Sequence, residues 1–202
     1  TTVMVFGGVC SCLGLLYLAL AVNLTTSVIG AISLLSYVFI YTPLKRMTWL
    51  NTAVGAVPGA LPPLMGWTAA RGELSHQGWA LFAILAFWQL PHFFAIAWMY
   101  REDYSRAGIR MLPVVEPDGA STARQIIIYS VLLIPVSLLP KWLGMTGSIY
   151  MIGALAMGLY FLYSGVRVSF DRSKLRARKV LLSSVVYLPV LYVLMVLDPA
   201  RL

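Results

Sequence analysis

The chain has 202 residues, 60% of them hydrophobic and 11% charged, with a formal net charge of +8 and a mean hydropathy of +0.83. An ordinary globular domain is roughly 45–50% apolar, so this composition excludes a water-soluble fold and indicates an integral membrane protein. A pI near 9.7 would suggest a nucleic-acid partner in a soluble chain, but here the placement of the basic residues follows membrane topology and no nucleic acid is implied.

Apolar runs recur at Val3–Val22, Ser27–Tyr41, Leu50–Ala70, Gly78–Tyr100, Ile126–Leu143, Ile149–Val168 and Val180–Leu197. Most reach the about 20 residues that a helix needs to cross hydrocarbon, where only helices and closed barrels satisfy the backbone. The pattern predicts an all-α, polytopic transmembrane bundle of seven spans, one membrane-embedded unit over residues 1–202. The second run is short at its core and extends through Leu44, within the mismatch that bilayers accommodate. Cys10 and Cys12 in the first run fall on different helix faces, which fits packing rather than a metal site. The chain opens "TTVMVFGG", inside an apolar run and without an initiator Met, so it is expected to be a piece of a longer protein.

Twelve of the fifteen Lys and Arg lie in the connections after the second, fourth and sixth runs: Lys45, Arg46, Arg101, Arg106, Arg110, Arg124, Arg167, Arg172, Lys174, Arg176, Arg178 and Lys179. Arg71, Lys141 and Arg201 fall on the other side. By the positive-inside rule the three basic connections face the cytoplasm, or the matrix in a mitochondrion, with the N-terminus inside and the C-terminus outside.

The polar chemistry gathers on that same side. "YTPLKRMTWLN" sets Lys45 and Arg46 at the end of the second span. In "NTAVGAVPGALPPLMGW", Gly55 and Gly59 have the GxxxG spacing of close helix approach, Asn51 lies four residues earlier on that face, and Pro58, Pro62 and Pro63 interrupt the hydrogen-bond ladder. The segment reads either as a kinked structural helix or as a broken helix lining a cavity.

"FWQLPHFFAIAWMYREDYSRAGIRMLP" leaves the fourth span through Gln89, His92, Glu102 and Asp103. On one unbroken helix His92 and Asp103 would share a face about 16 Å apart, with Gln89 on the same stripe, while Pro91 would kink the helix and free a carbonyl. His92 is either a hydrogen-bonded link between helices or a ligand contact, where a neutral imidazole could coordinate, hydrogen-bond or pass a proton. Glu102 and Asp103 stand among Arg101, Arg106 and Arg110. Carboxylates suit Mg²⁺ and guanidinium forks suit phosphate, so the mixture fits a magnesium-bridged diphosphate that Lys45 and Arg46 would also hold; the alternative is a solvated loop with incidental ion pairs. No Walker motif, HExxH, GxSxG or internal repeat is present.

"YTPLKR", "NTAVGAVPGALPPLMGW", "WQLPHF" and "YREDYSRAGIRMLP", in this order over most of the chain, resemble the haem O synthases, the protohaem IX farnesyltransferases among the UbiA-type membrane prenyltransferases. The resemblance implies a nine-span bundle whose central cavity takes farnesyl diphosphate and haem B, and joins the farnesyl group to the haem 2-vinyl group to give haem O. Carried over, Asp103 with Glu102 would ligate magnesium, Lys45 and Arg46 with nearby arginines (Arg101, Arg106, Arg110) would bind the diphosphate, and Asn51, Tyr41, Gln89, His92, Tyr100 and Tyr104 would contact the substrates. Tyr41, Tyr100, Trp88 and Phe93 would shield an allylic cation by their π faces, and His92 would lie near haem.

The family's first acidic motif, an N-rich segment with aspartates, has no counterpart here, so the seven runs would correspond to the third to ninth spans and the 202-residue chain alone would be inactive. The wider superfamily's second motif is DxxxD, whereas Ala107 stands four residues after Asp103. The resemblance places the protein in a bacterial inner membrane, or a mitochondrial one, with haem A synthase or terminal-oxidase assembly factors as partners beside the lipid bilayer. The alternatives are a prenyltransferase acting on a quinone precursor, and a non-catalytic haem-binding transporter or assembly protein.

Overall fold

The computed structural model describes residues 2–200; Arg201 lies outside them. In chain order the helices are α1 Thr2–Val22, α2 Leu24–Met47, α3 Asn51–Arg71, α4 His76–Met99, the short α5 Arg101–Arg106 and α6 Leu112–Val115, then α7 Ala120–Trp142, α8 Ser148–Phe170 and α9 Lys174–Leu197. Among the described residues the extended pairing is limited to an isolated bridge between Thr146 and Pro199.

Six of these helices are long and apolar enough to cross a membrane, one fewer than the expected seven. The exception is α3. Its 21 residues would reach about 31 Å at 1.5 Å per residue, but Asn, Thr, Gly and Pro dilute its apolarity. Part of that polar set is withdrawn from lipid, because α3 packs between α2 and α4 and buries Asn51, Thr52, Ala56, Pro58 and Thr68, whereas Pro62 and Gly66 stay exposed. α7 and α9 also begin earlier than their apolar runs, so Lys174, Arg176, Arg178 and Lys179 are helical, with stems along the bundle and charges free to reach water.

α4 is helical through Pro91, whose missing N–H leaves the Phe87 carbonyl without its ladder donor. One further expectation is corrected. The polar stripe does not reach Asp103 on that helix, because Tyr100 leaves the helical region at φ −111 and ψ 22, ending α4 at Met99 and starting α5 in a new direction.

α4 is the hub, packed by α3, α7 and α9, with α8 closing on α7 and α9. The core there consists of Ile84, Phe94, Ile126, Leu133, Phe161 and Leu191 around two tyrosines with no exposed surface, Tyr150 and Tyr187. Their hydroxyls are satisfied: Tyr150 donates to the Ser137 carbonyl at 2.8 Å, and Tyr187 shares a 2.7 Å bond with the Ser137 hydroxyl. Small residues set the helix spacing, as expected where packing rather than water drives association. A Cβ at Gly158 would lie 2.9 Å from Ile134, and one at Gly165 would lie 3.0 Å from Ile126.

α2 and α3 are joined by polar links, one of which replaces a lost ladder bond. Pro62 has no N–H for the carbonyl of Pro58, and the Ser33 hydroxyl of α2 donates to that carbonyl at 3.0 Å instead. Near the other end Thr26 and Thr68 share a 2.8 Å hydrogen bond, and Asn23 donates to the Thr68 carbonyl at 2.8 Å. α1 buries no residue, and Cys10 and Cys12 are exposed on it rather than packed.

The helices alternate direction, so Lys45, Arg46, α5, α6 and the α8–α9 turn share one basic end. There the Trp98 indole donates to the Arg172 carbonyl at 2.8 Å, and the Arg101 guanidinium lies 4.6 Å over its ring. At the opposite end the Asp198 carboxylate accepts from the Tyr150 amide at 2.8 Å, and the Asp198 carbonyl accepts from Gly147 at 2.7 Å, so the end of α9 caps the start of α8.

Candidate active site

A cavity of about 310 Å³ opens near the basic end, walled by α2, α3, α4 and the α5 segment. α2 contributes through a π-helical stretch, Ser36–Tyr41, followed by Pro43, which has no N–H to give the ladder. π turns are rare and recur at functional sites. This one brings Tyr37 and Tyr41 together with ring centroids 5.1 Å apart and planes tilted by 56°, and sets Lys45 over both, its Nζ 4.4 Å from the Tyr41 centroid and 5.3 Å from that of Tyr37. Among the described residues Lys45 is the cation in the lining, and no carboxylate lines it.

α3 supplies space. A Cβ on Gly55 would lie 2.5 Å from the Tyr41 ring, and one on Gly59 would lie 2.5 Å from Oε1 of Gln89. The GxxxG pair thus admits a phenol and a carboxamide. Gln89 of α4 is 4% exposed, and its Nε2 donates to the Ala56 carbonyl at 2.6 Å, which fixes Oε1 against Gly59.

The remaining wall is a loop folded back onto the α2–α3 corner. Gly108 turns it at φ +68, a conformation that costs other residues more. The Arg110 amide donates to the Lys45 carbonyl at 2.9 Å, and the fully buried Asn51 donates from Nδ2 to the carbonyls of Arg110 at 2.9 Å and Thr48 at 2.6 Å. Tyr104, Ile109 and Met111 are thereby pressed into the cavity beside Thr52 and Phe93.

Of the expected site residues, Tyr41, Lys45, Gln89 and Tyr104 meet in this cavity. Asn51 and the Arg110 backbone form the clamp beneath it, and the Arg110 guanidinium reaches the Met47 carbonyl at 3.4 Å. Arg46 and Tyr100 are exposed outside the lining. α5 has two faces: Tyr104 turns inward, whereas Arg101, Glu102 and Arg106 line a second hollow of about 360 Å³ with Pro113 and Pro117. There Glu102 lies 3.8 Å from Lys174 and 3.9 Å from Arg101, while Asp103 bonds Arg106 at 2.7 Å. Pairs this exposed contribute at most about 1 kcal/mol and yield readily to a stronger anion or cation.

His92 stands apart from Gln89. Its ring stacks on Trp88 at 4.8 Å and meets the edge of Phe93 at 5.4 Å, and its Nδ1 is 2.7 Å from the Ser184 hydroxyl of α9. Trp88 donates to the Ser184 carbonyl at 2.8 Å. Of the four expected aromatic shields, Tyr41 and Phe93 line the cavity, Trp88 belongs to the His92 seam and Tyr100 lies outside.

Among the described residues no three His, Cys, Asp or Glu side chains come together, which argues against a resident metal held by protein alone. Magnesium, however, is commonly held by one or two carboxylates together with substrate phosphates and water. Glu102 and Asp103, adjacent and exposed on α5, fit that donor set.

Tyr37, Thr52, Ile109 and Met111 were not foreseen. Tyr37 carried a signal, since it precedes Tyr41 by four residues and Lys45 by eight. Ile109 and Met111 carried none, because their placement depends on the clamp.

The sequence model of the UbiA prenyltransferase family matches residues 1–188. The chain is 60% identical to the protoheme IX farnesyltransferase of Solibacter usitatus, over 96% of this chain and 67% of that one. It is 49% identical to the protein of the same name from Koribacter versatilis, over 90% and 61%, and 53% identical to that from Salinibacter ruber, over 80% and 57%. The chain therefore spans 57% to 67% of the length of these relatives. A solved structure from a study of digeranylgeranylglyceryl phosphate synthase superposes with a TM-score of 0.71 over 95% of this chain and 67% of that one, at 20% identity, a likeness of fold.

Proposed function

We propose, from the premise that this chain belongs to the UbiA prenyltransferase family, that it transfers a farnesyl group from farnesyl diphosphate to the 2-vinyl group of haem B, giving haem O. The observation that carries the reading is Lys45 poised over Tyr37 and Tyr41 as the cation of a cavity whose lining holds no carboxylate among the described residues. At about 310 Å³ the cavity is at the lower end of the about 300–1,000 Å³ typical of ligand pockets, so it suits one substrate, the isoprenoid.

With the farnesyl chain along Phe93, Ile109 and Met111, its diphosphate comes to Lys45 and to the edge of α5, where Arg101 and Arg106 would have to turn from the second hollow to reach it. Glu102 and Asp103 would hold magnesium there, whose charge would favour departure of the leaving group. Lys45 then has two tasks. As it turns to the diphosphate it leaves the faces of Tyr37 and Tyr41, which become free to stabilise the allylic cation as the C–O bond breaks. The vinyl π electrons of haem form the new C–C bond, and water supplies the hydroxyl and loses a proton. His92, across Phe93 from the cavity, is the group assigned to haem.

The chain is a membrane protein. The bacterial relatives support an inner-membrane home, with the basic end toward the cytoplasm by charge distribution. Haem A synthase or terminal-oxidase assembly factors as partners rest on the resemblance alone. The test is direct: membranes carrying the protein expressed from its whole gene are supplied with farnesyl diphosphate, magnesium and either haem B or an aromatic acid. Haem O is expected from the first mixture. Farnesylation of the aromatic acid alone would move the protein to the quinone-forming group, and release of diphosphate with neither acceptor would exclude both.

A further inference from the structure

At the basic end of the α8–α9 hairpin, sharing no lining residue with the cavity, lies a pocket of about 190 Å³ lined by Tyr160, Tyr163, Ser164, Arg167, Arg176 and Lys179. None of these residues belongs to the prenyl-transfer machinery. Its volume equals that of about six waters at about 30 Å³ each, enough for a phosphodiester. Three cations converge on it and a single carboxylate answers them: Asp171 accepts from Arg176 at 3.2 Å. Arg167 and Lys179 have no carboxylate within 4.0 Å among the described residues. Arg167 instead donates to the Tyr163 hydroxyl at 3.3 Å, which leaves the hydrogen of that hydroxyl free to donate in turn.

The pocket opens onto apolar surface. Tyr160 and Tyr163 are each 57% exposed, and Leu159 on α8 and Leu182 and Val186 on α9 continue exposed beyond the cations. Leu182 and Val186 follow Lys179 by three and seven residues, so they lie on one helix face beneath its charge. A soluble anion would have no use for that stripe. A headgroup phosphate attached to acyl chains would use both parts, and basic pockets between membrane helices on this side are the usual seats of anionic headgroups.

We propose that the α8–α9 hairpin binds an anionic glycerophospholipid, its phosphate on Arg167, Lys179 and the Tyr163 hydroxyl and its acyl chains along Leu182 and Val186. Hydrogen bonds from Ser173 and from Arg176 hold the Asp171 carboxyl below the usual carboxylate range, so Asp171 stays charged and restrains Arg176 from the ligand.

The test uses the purified chain in neutral detergent and counts bound lipid by native mass spectrometry. Phosphatidylglycerol and phosphatidylcholine of the same chains are supplied separately, and farnesyl diphosphate and inorganic phosphate are each added against bound phosphatidylglycerol. Phosphatidylglycerol should be retained in preference to phosphatidylcholine, and Arg167→Gln with Lys179→Gln should reduce its retention about twenty-five-fold, on the basis of about fivefold for each basic residue at an anionic surface. Asp171→Asn, which releases Arg176, should instead strengthen it, and this gain remains informative if the double variant does not fold. Equal retention of the two phospholipids, displacement by inorganic phosphate or farnesyl diphosphate at the same concentration, or no response in the folded variants would overturn the proposal.

Discussion

The Ser184 hydroxyl lies 2.7 Å from Nδ1 of His92 and 2.6 Å from the carbonyl oxygen of Leu181. A carbonyl at that distance accepts the hydroxyl hydrogen, so Ser184 has none left for the imidazole. Nδ1 therefore carries the ring hydrogen and donates it, and Nε2 keeps a lone pair that meets no donor among the described residues. One hydroxyl thus sets the tautomer that a metal ligand or proton acceptor needs.

From this follows a test of the haem side. Ser184→Ala should lower haem affinity about tenfold, the lower end of the effect of losing such an orienting partner, and should mix the two tautomers in the ¹⁵N spectrum of His92. Farnesyl diphosphate affinity should hold. Equal loss for both substrates would make the Ser184–His92 pair a structural link between α4 and α9.

Lys45→Met keeps the stem and removes the charge, so it should cut turnover about a hundredfold, the scale of losing a principal electrostatic contact. Lys45→Arg should recover part of it. Steady-state rates at saturating and limiting farnesyl diphosphate separate binding from chemistry, and unchanged rates would show that the cavity is not the diphosphate site.

Two glycines of α3 should respond oppositely to alanine. At Gly59 the new methyl meets the Gln89 amide 2.5 Å away, and displacing a buried, hydrogen-bonded side chain costs about 1–3 kcal/mol. At Gly66 a Cβ meets nothing within 4 Å, so helix propensity should stabilise it by about 0.5–1 kcal/mol. Thermal unfolding in one detergent compares them, and a Gly59→Ala protein as stable as the parent would mean that Gln89 is not fixed where the structure puts it.

Asp103→Asn should lower turnover at least about a hundredfold in the protein from its whole gene, with part of the loss restored by excess magnesium. The ion pair it breaks, with Arg106, is exposed, so stability should barely move. Near-normal turnover would assign Asp103 to an ordinary solvated loop.

Much of this was legible in the sequence for identifiable reasons. Apolar length located every long helix, including α3, and the gathering of Lys45, Glu102 and Asp103 on alternate connections marked the basic end. The break at Tyr100 was not legible, because Met99-Tyr100-Arg101 contains neither Gly nor Pro and the apolar period runs straight through. The parting of Gln89 from His92 has a similar cause. Three residues leave them about 60° apart around α4, and on a helix packed from several sides that angle sends one side chain to α3 and the other to α9. The inward turn of Ile109 and Met111 depends on Asn51 gripping a carbonyl 59 positions away in the chain, a relation that no local pattern records.

The cap on α8 has a consequence for the order in which the molecule is made. Tyr150 emerges from the ribosome 48 residues before Asp198, the residue that accepts its amide hydrogen. During that interval the start of α8 has open amides, which water can satisfy only while that end stays at the surface. The hairpin is latched when its last turn is translated, so a nascent chain stopped short of Asp198 would carry α8 across the bilayer with its outer end still unfastened.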